Sequence, residues 1–236
     1  MDTPGYTTLT RQSGLMREMQ IIANNIANSS TAGFRREGAI FSEYIARLDG
    51  EPSLSMAHGN TRHVDLGQAG LTSTGGTYDL GLQGEGFFLI ATPSGDRLTR
   101  AGAFSPSAEG VLVNSDGYAL LDAGGAPVPV PFGARTVAVA ADGTVSADGE
   151  PVSQIGVWQP ADPLSLRHQS GTLFTAEDIE PADSAVIHQG FLEDSNVEPV
   201  SEISRMIAVQ RAYELGQKFL EAEDQRQRNV VQTLGK

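Results

Sequence analysis

The chain has 236 residues, with 16 basic against 29 acidic side chains, a formal charge of −13 and no cysteine. So acidic a balance speaks against nucleic acid or an anionic membrane as the main partner, since phosphate binding needs clustered Lys and Arg; the missing thiols exclude disulfides, thiol catalysis and cysteine-based metal centres. The length leaves room for a substantial core in one large domain or two modest ones, and no apolar run approaches the roughly 20 residues of a membrane span.

The first residues, Met1-Asp2-Thr3-Pro4-Gly5, have neither the basic nor the apolar stretch of a secretory leader, so no ordinary signal is expected. From about Pro4 to Asn28 the pattern predicts a helix, with Asp2 or Thr3 as its cap and proline in its first turn. Leu15, Met19, Ile22 and Ile26 recur at spacings of four, three and four, which places them on one face. Gly14 is the weak point of that helix. The run Asn28-Ser29-Ser30-Thr31-Ala32-Gly33 supplies side chains that compete for backbone hydrogen bonds and a glycine able to take positive φ, so the helix should stop there.

The centre differs in kind. Residues 51–189 hold five cations against sixteen anions, 19 of the 27 glycines and 10 of the 12 prolines, so they carry most of the net negative charge and most of the turns. Phe87-Phe88-Leu89-Ile90 reads as a buried strand, and Leu98-Thr99-Arg100-Ala101 follows a Ser94-Gly95 turn. Val111–Val113 and Tyr118–Leu121 flank Asn114-Ser115-Asp116-Gly117, and Thr136–Ala140 and Thr144–Ser146 flank Asp142-Gly143; both are hairpin signals. Ile155–Trp158 and Thr172–Thr175 complete the set. No helical period separates these runs, which argues for antiparallel β and against βαβ units.

A second helix is predicted to begin between Asn196 and Ser201 and to run nearly to Leu234, roughly 50 Å. Its seam is Ile203, Met206, Gln210, Tyr213, Gln217, Leu220, Asp224, Gln227, Val231 and Leu234, alternating three and four. Four of these ten positions are polar, too many for a robust coil with itself; polar seam residues cost stability but fix register and partner. Other helices are expected to complete it. The fold class that follows is α+β, with the two terminal helices in an antiparallel coiled coil and a central antiparallel β-rich domain. The expected divisions are 1–34 with 197–236 as the coil, 35–75 with 183–196 as a connecting segment, and 76–182 as the β-rich domain.

Chemistry-bearing patterns are weak. Gly81-Leu82-Gln83-Gly84-Glu85-Gly86 has the glycine density of a phosphate loop, but a strand follows it where a dinucleotide fingerprint needs a helix, so it reads as a turn or close backbone approach. Asp142–Gly149 invites a calcium-loop reading, yet it lacks glycine at the sixth position and glutamate at the twelfth; aspartates heading tight turns account for it better. His58, His63 and Asp65 would make a zinc site only if the fold brought a further ligand to them. No catalytic residue, cofactor or metal is expected.

The ends are more specific. Asn24-Asn25-Ile26-Ala27-Asn28-Ser29-Ser30-Thr31-Ala32-Gly33-Phe34-Arg35 closely resembles the N-terminal signature of the bacterial flagellar rod and hook family, departing from it at Ala32, where proline is common. Gly190-Phe191-Leu192-Glu193-Asp194-Ser195-Asn196-Val197, followed by Arg211-Ala212-Tyr213-Glu214, resembles the family's C-terminal signature. Leu82–Phe88, Thr99–Phe104 and Gly110–Val113 resemble its β-domain motifs. Within the family, the Met-Asp start and modest length look most like the proximal-rod type; the distal-rod type runs somewhat longer and the hook type has a larger centre.

The resemblance implies a structural axial component of the flagellar basal-body rod, which crosses the periplasm and transmits torque from motor to hook. Its implied partners are copies of itself, other axial rod proteins and the flagellar type III export apparatus. In that setting Leu15, Met19, Ile22 and Ile26 are expected to face Ile203, Met206, Tyr213, Leu220, Val231 and Leu234, within or between subunits. The ends are expected to be largely unfolded in the free chain and to fold on incorporation. The acidic centre is expected to face outward. Two rivals stand beside this reading: a distal-rod or hook member of the same family, and a carboxylate-dependent hydrolase of cell-wall glycan, which needs two carboxylates facing each other across a groove.

Overall fold

A computed structural model describes residues 3–46, 54–182 and 184–234, with the backbone alone for residues 3–7, 40–46, 54–61, 231 and 234. The chain forms two compact units: residues 1–27, 37–63 and 198–236 make the first, and residues 28–36 and 64–197 the second. The segment expected to connect coil and β-domain is therefore divided, residues 37–63 falling in the first unit and the remainder in the second.

In the helical unit, α1 (Thr3–Ala27) and α2 (Pro199–Leu234) form where the apolar periodicity and the absence of interior proline predict them. Asp2, one of the two expected caps of α1, lies outside the described residues. Gly14 does not interrupt α1, and it is buried there. Pro199 occupies the first turn of α2, where its missing N–H costs nothing. The strands Glu37–Ala46 and Leu54–Val64 pair as a two-stranded ribbon that no turn or alternation signal in the sequence announced.

The second unit is antiparallel β throughout. Its largest sheet runs in the spatial order Arg167–Ser170, Leu173–Thr175, Gly95–Thr99, Phe87–Thr92, Ala119–Leu120, Leu112–Val113 and Ser105–Pro106. Val157–Pro160 pairs with both Phe87–Thr92 and Ile179–Pro181. Val137–Val139, Thr144–Ala147 and Glu150–Gln154 make a three-stranded sheet. Two smaller pairs join distant segments: Leu80–Gln83 with Val186–Gln189, and Leu71–Ser73 with Phe191–Glu193.

The unbroken apolar run at Phe87–Ile90 has a simple cause. Phe88 and Ile90 face one cluster with Leu80, Leu112, Leu120 and Val145, while Phe87 and Leu89 face a second with Leu98, Leu166 and Phe174. A strand covered on both faces reads as continuous hydrophobicity, and each such side chain contributes about 1.5–3 kcal/mol of burial. The strand predicted over Leu98–Ala101 ends at Thr99 instead. Thr99 Oγ1 accepts a hydrogen bond from Ala101 N at 3.1 Å, turning the chain so that Arg100 points inward. Among the described acids between 64 and 189 none is buried.

Candidate functional site

Three segments far apart in sequence meet inside the β unit. Glu193, at the end of the strand Phe191–Glu193, has a fully buried carboxylate that pairs with Arg35 Nη2 at 2.9 Å and Arg100 Nη1 at 3.0 Å. Its Oε1 also accepts from Ala69 N at 3.0 Å. Both arginines reach further acceptors: Arg35 Nη1 donates to Gly67 O and Arg100 Nη2 to Gly84 O. Arg100 lies 5.3 Å from the centre of the Phe87 ring, close enough for a cation–π contact.

Two cations thus share one anion in the core. Burial lowers the Arg100 pKa to about 10, with the Glu193 attraction opposing that shift; Arg35 is also lowered, by burial first. A base whose folded pKa falls below its unfolded one gains stability only as pH rises through that interval. At neutral pH both guanidinium groups are charged, and the cost of burying them is present in full. Glu193 is the group that offsets it.

The backbone follows the same convergence. Gly33 N donates to Glu193 O at 2.7 Å, and Asn196 N to Phe34 O at 3.3 Å. The Asn196 side chain accepts from Arg36 N at 2.6 Å and donates to Asp65 O at 3.0 Å and Gly67 O at 2.9 Å, stitching three segments with one amide. Gly33 has φ +72°, and a Cβ there would stand 2.3 Å from Ala101 N, so no other residue fits without moving the backbone. Phe34 is buried, edge-on to His168 at 5.6 Å.

In the helical unit the two helices run antiparallel, held by polar bonds along their length. Gln12 Nε2 donates to Tyr213 O at 3.0 Å, Arg205 grips Glu18 Oε1 through Nε at 3.0 Å and Nη2 at 2.7 Å, and Asn25 Nδ2 donates to Glu202 Oε2 at 3.1 Å. Asn25 also exchanges two bonds with the backbone of Glu37, giving to its O at 2.8 Å and taking from its N at 3.0 Å. At Gly216 a Cβ would lie 2.5 Å from Gln12 Nε2, so the absent side chain lets the helices approach.

On α1, Ile22 is buried, and Leu15, Met19 and Ile26 are half-buried. On α2, Met206, Tyr213 and Leu220 are half-buried, but Ile203 is 49% exposed. The face turned inward includes Glu202, Val209 and Gly216 at intervals of seven, one residue out of phase with the expected line through Ile203. The polar bonds of Glu202 and Arg205 set that phase, and an apolar pattern does not register them. The side chains of Val231 and Leu234 lie outside the described residues.

The remaining signature residues have local tasks. Asn24 is half-buried in α1, and Asn28 Oδ1 accepts from Thr31 Oγ1 at 3.2 Å. Gly190, at φ +78°, donates to Asp79 O at 2.7 Å. Leu192 pairs with Thr72 in the ladder, Ser195 Oγ accepts from Val197 N at 3.3 Å, Val197 is buried and Arg211 is exposed. Arg100, Glu18, Arg205, Gln12 and Glu202 were not singled out in the sequence; the signal that would have found them is a charge or amide interrupting an apolar face.

The glycine-rich run Gly81–Gly86 makes close approaches: at Gly86, φ +122°, a Cβ would meet Val157 Cγ1 at 2.6 Å. Asp142 Oδ1 accepts from Thr144 N at 3.0 Å, and that bond lowers its pKa. Asp148, at φ 51°, takes bonds from Arg135 N and Thr136 N, each at 3.0 Å. Among the described residues no group of three or more His, Asp or Glu is placed to hold a metal, and no helix is long and apolar enough to cross a membrane. The His58 side chain lies outside them.

Comparison with known proteins gives matches to three family models. Residues 8–35 match one described as flagella basal body rod protein, residues 81–147 the flagellar hook protein FlgE/F/G D1 domain, and residues 188–233 the flagellar basal body rod FlgEFG protein C-terminal. Arg35, Arg100 and Glu193 come one from each. The chain is 37% identical to the flagellar basal-body rod protein FlgF of Caulobacter vibrioides, covering all of this chain and 99% of that protein. It is 32% identical to FlgF of Rhizobium meliloti with the same coverage. It is 29% identical to the flagellar basal-body rod protein FlgG of Bacillus subtilis, over 93% of this chain and 94% of that one.

Proposed function

The chain belongs to the flagellar basal-body rod protein family, and from that premise we propose that α1 and α2 are the elements through which it joins its neighbours in the rod. It is a structural component of the flagellar basal body. In this reading its partners are copies of itself and other axial rod proteins, it reaches them through the flagellar type III export apparatus, and the assembled shaft transmits torque from motor to hook. The division into a terminal coil and a β-rich centre serves that end: the helices join, and the centre fills the wall of the shaft.

One observation carries this reading. Although α2 is bonded to α1 along its length, it leaves Val200, Ile203, Ile207, Leu215 and Phe219 exposed, the last two beside the α1 seam. A helix that already has an intramolecular partner and still shows an apolar stripe to water marks an interaction surface. Leu15, Met19, Ile22, Ile26, Met206, Tyr213 and Leu220 would then hold the pair together, while Ile203 belongs to the outer contact and Val231 and Leu234, past the start of α1 in this register, are assigned to neighbouring subunits. The test is Ile203→Glu with Ile207→Glu in a strain lacking the native chain. Purified basal bodies should contain about tenfold less of the variant or worse, with swimming lost. Normal incorporation would sink the assignment of that face.

A further inference from the structure

The β unit presents a knob and a hole on separate elements. Phe132 is 79% exposed, the most exposed large hydrophobic among the described residues. It sits on a turn closed by Ala134 N donating to Pro131 O at 3.2 Å, and the turn is anchored by Val130 N donating to Gly110 O at 2.7 Å. Its ring lies across Gly110, where a Cβ would come within 3.0 Å of it. The turn thus presents the ring to solvent, resting against Gly110.

The hole is a cavity of about 210 Å³ with Phe87, Pro160 and Ala161 in its walls, buried Arg100 among its lining, and exposed Glu85 and Glu180 beside them. An apolar cavity of about 150 Å³ is enough to hold benzene, so one aromatic ring fits. Arg100 Nε has no hydrogen-bond partner, and the guanidinium already faces the Phe87 ring. A second ring entering the cavity would meet the same cation. The charges agree as well: exposed Arg135 stands three residues from Phe132, and the cavity offers Glu85 and Glu180.

The geometry points to a contact between copies of this chain in which Phe132 of one β unit enters the Arg100 cavity of the next, with Arg135 against Glu85 and Glu180. Phe132 does not line the cavity of its own chain. Each copy gives its ring to one neighbour and receives one from another, so the contact is heterologous, and a heterologous contact that does not close generates an open helical series. A single ring buries only about 150–250 Å², far below what a stable complex needs. The contact is weak alone and acts by repetition, alongside other surfaces, along an assembly. It adds a second surface to the helical one and rests on the rod reading only for its setting.

The absence of native cysteine makes the test clean. The full chain carrying Pro131→Cys and Ala161→Cys, both exposed positions that leave the Phe132 ring in place, is oxidised at high concentration and run without reductant. A reducible ladder of dimers, trimers and larger species is expected, its disulfides joining the two different positions when mapped by peptide mass spectrometry, with each single variant stopping at the dimer; a ladder joined only like to like overturns the contact. A double variant that also stops at the dimer, or shows no product, overturns the contact. In parallel, Phe132→Ala should weaken self-association about thirtyfold, the size of a strong interface residue. Arg135→Glu should weaken it too, and adding Glu85→Arg should restore it; failure of that rescue counts against the pairing. Incorporation of the double-cysteine chain into basal bodies, followed under reducing conditions, tests the rod reading separately. A chain that enters the basal body yet gives no ladder defeats the knob-and-hole contact alone.

Discussion

Glu193 is the residue on which the junction turns. Its carboxylate is the shared counter-ion of Arg35 and Arg100, and removing one member of a buried ion cluster leaves the others uncompensated. Glu193→Gln should destabilise the β unit by about 3–5 kcal/mol, read from urea unfolding by the fluorescence of Trp158, the only tryptophan in the chain. A loss under about 1 kcal/mol would mean that the arginines find other acceptors and the network is incidental. Replacing all three by apolar residues of similar volume should recover much of the loss, since the charges are retained at a desolvation cost. In the sequence, Arg35, Arg100 and Glu193 were visible only as letters of three separate signatures. Nothing local tells that a charged residue after a phenylalanine points inward; the pairing is long-range, over 158 positions between Arg35 and Glu193.

At the scale of elements, α1 and α2 were legible in extent, and α1 in phase, but the inward line of α2 was not. Apolar spacing located both helices and their ends, because proline-free periodic stretches have few alternatives. It put Ile203 on the seam and did not single out Glu202; within the chain Ile203 is exposed and Glu202 is buried. The cause is that this helix pair is registered by an amide and an ion pair as well as by apolar side chains. Gly216 gives a sharp test: a leucine there would meet the Gln12 amide and displace it from its bond to Tyr213 O. Gly216→Leu should cost the helical unit about 1–3 kcal/mol in thermal melts followed by far-UV circular dichroism, with the Trp158 signal unmoved. An unchanged helical melt would show that the close approach is dispensable. Among strands, those rich in Val, Phe, Ile and Thr around Asx-Gly turns were readable. Leu80–Gln83, Val186–Gln189 and Phe191–Glu193 were not, because they are short and pair with strands over a hundred residues away.

The whole molecule has two cores of unequal quality. The described part of the helical unit buries few large apolar side chains, Ile21, Ile22 and Val209 among them, against two extended clusters in the β unit. Unfolding should therefore be stepwise, with helical circular dichroism lost at lower denaturant than Trp158 fluorescence changes. A single coincident transition would show the units to be energetically one. The division itself was partly legible, in the shift of charge, glycine and proline at both ends of the centre. Its true boundaries were not, because residues 28–36 join the β unit through contacts with segments they never neighbour in sequence.

Asn196 gathers Arg36, Asp65 and Gly67 at one spot, so the stretch between Gln68 and Leu192 departs from and returns to a common root. Its inner part, with Arg100 and Ala101, belongs to the root, while its outer turns are free to vary. Residues can be added or removed there, for instance around Asp116-Gly117 or Gly124-Gly125, at an entropic cost that grows only slowly with length. The root keeps its shape while those turns are enlarged or trimmed, which gives lineages a way to alter the bulk and chemistry of the centre without renegotiating how the chain begins and ends.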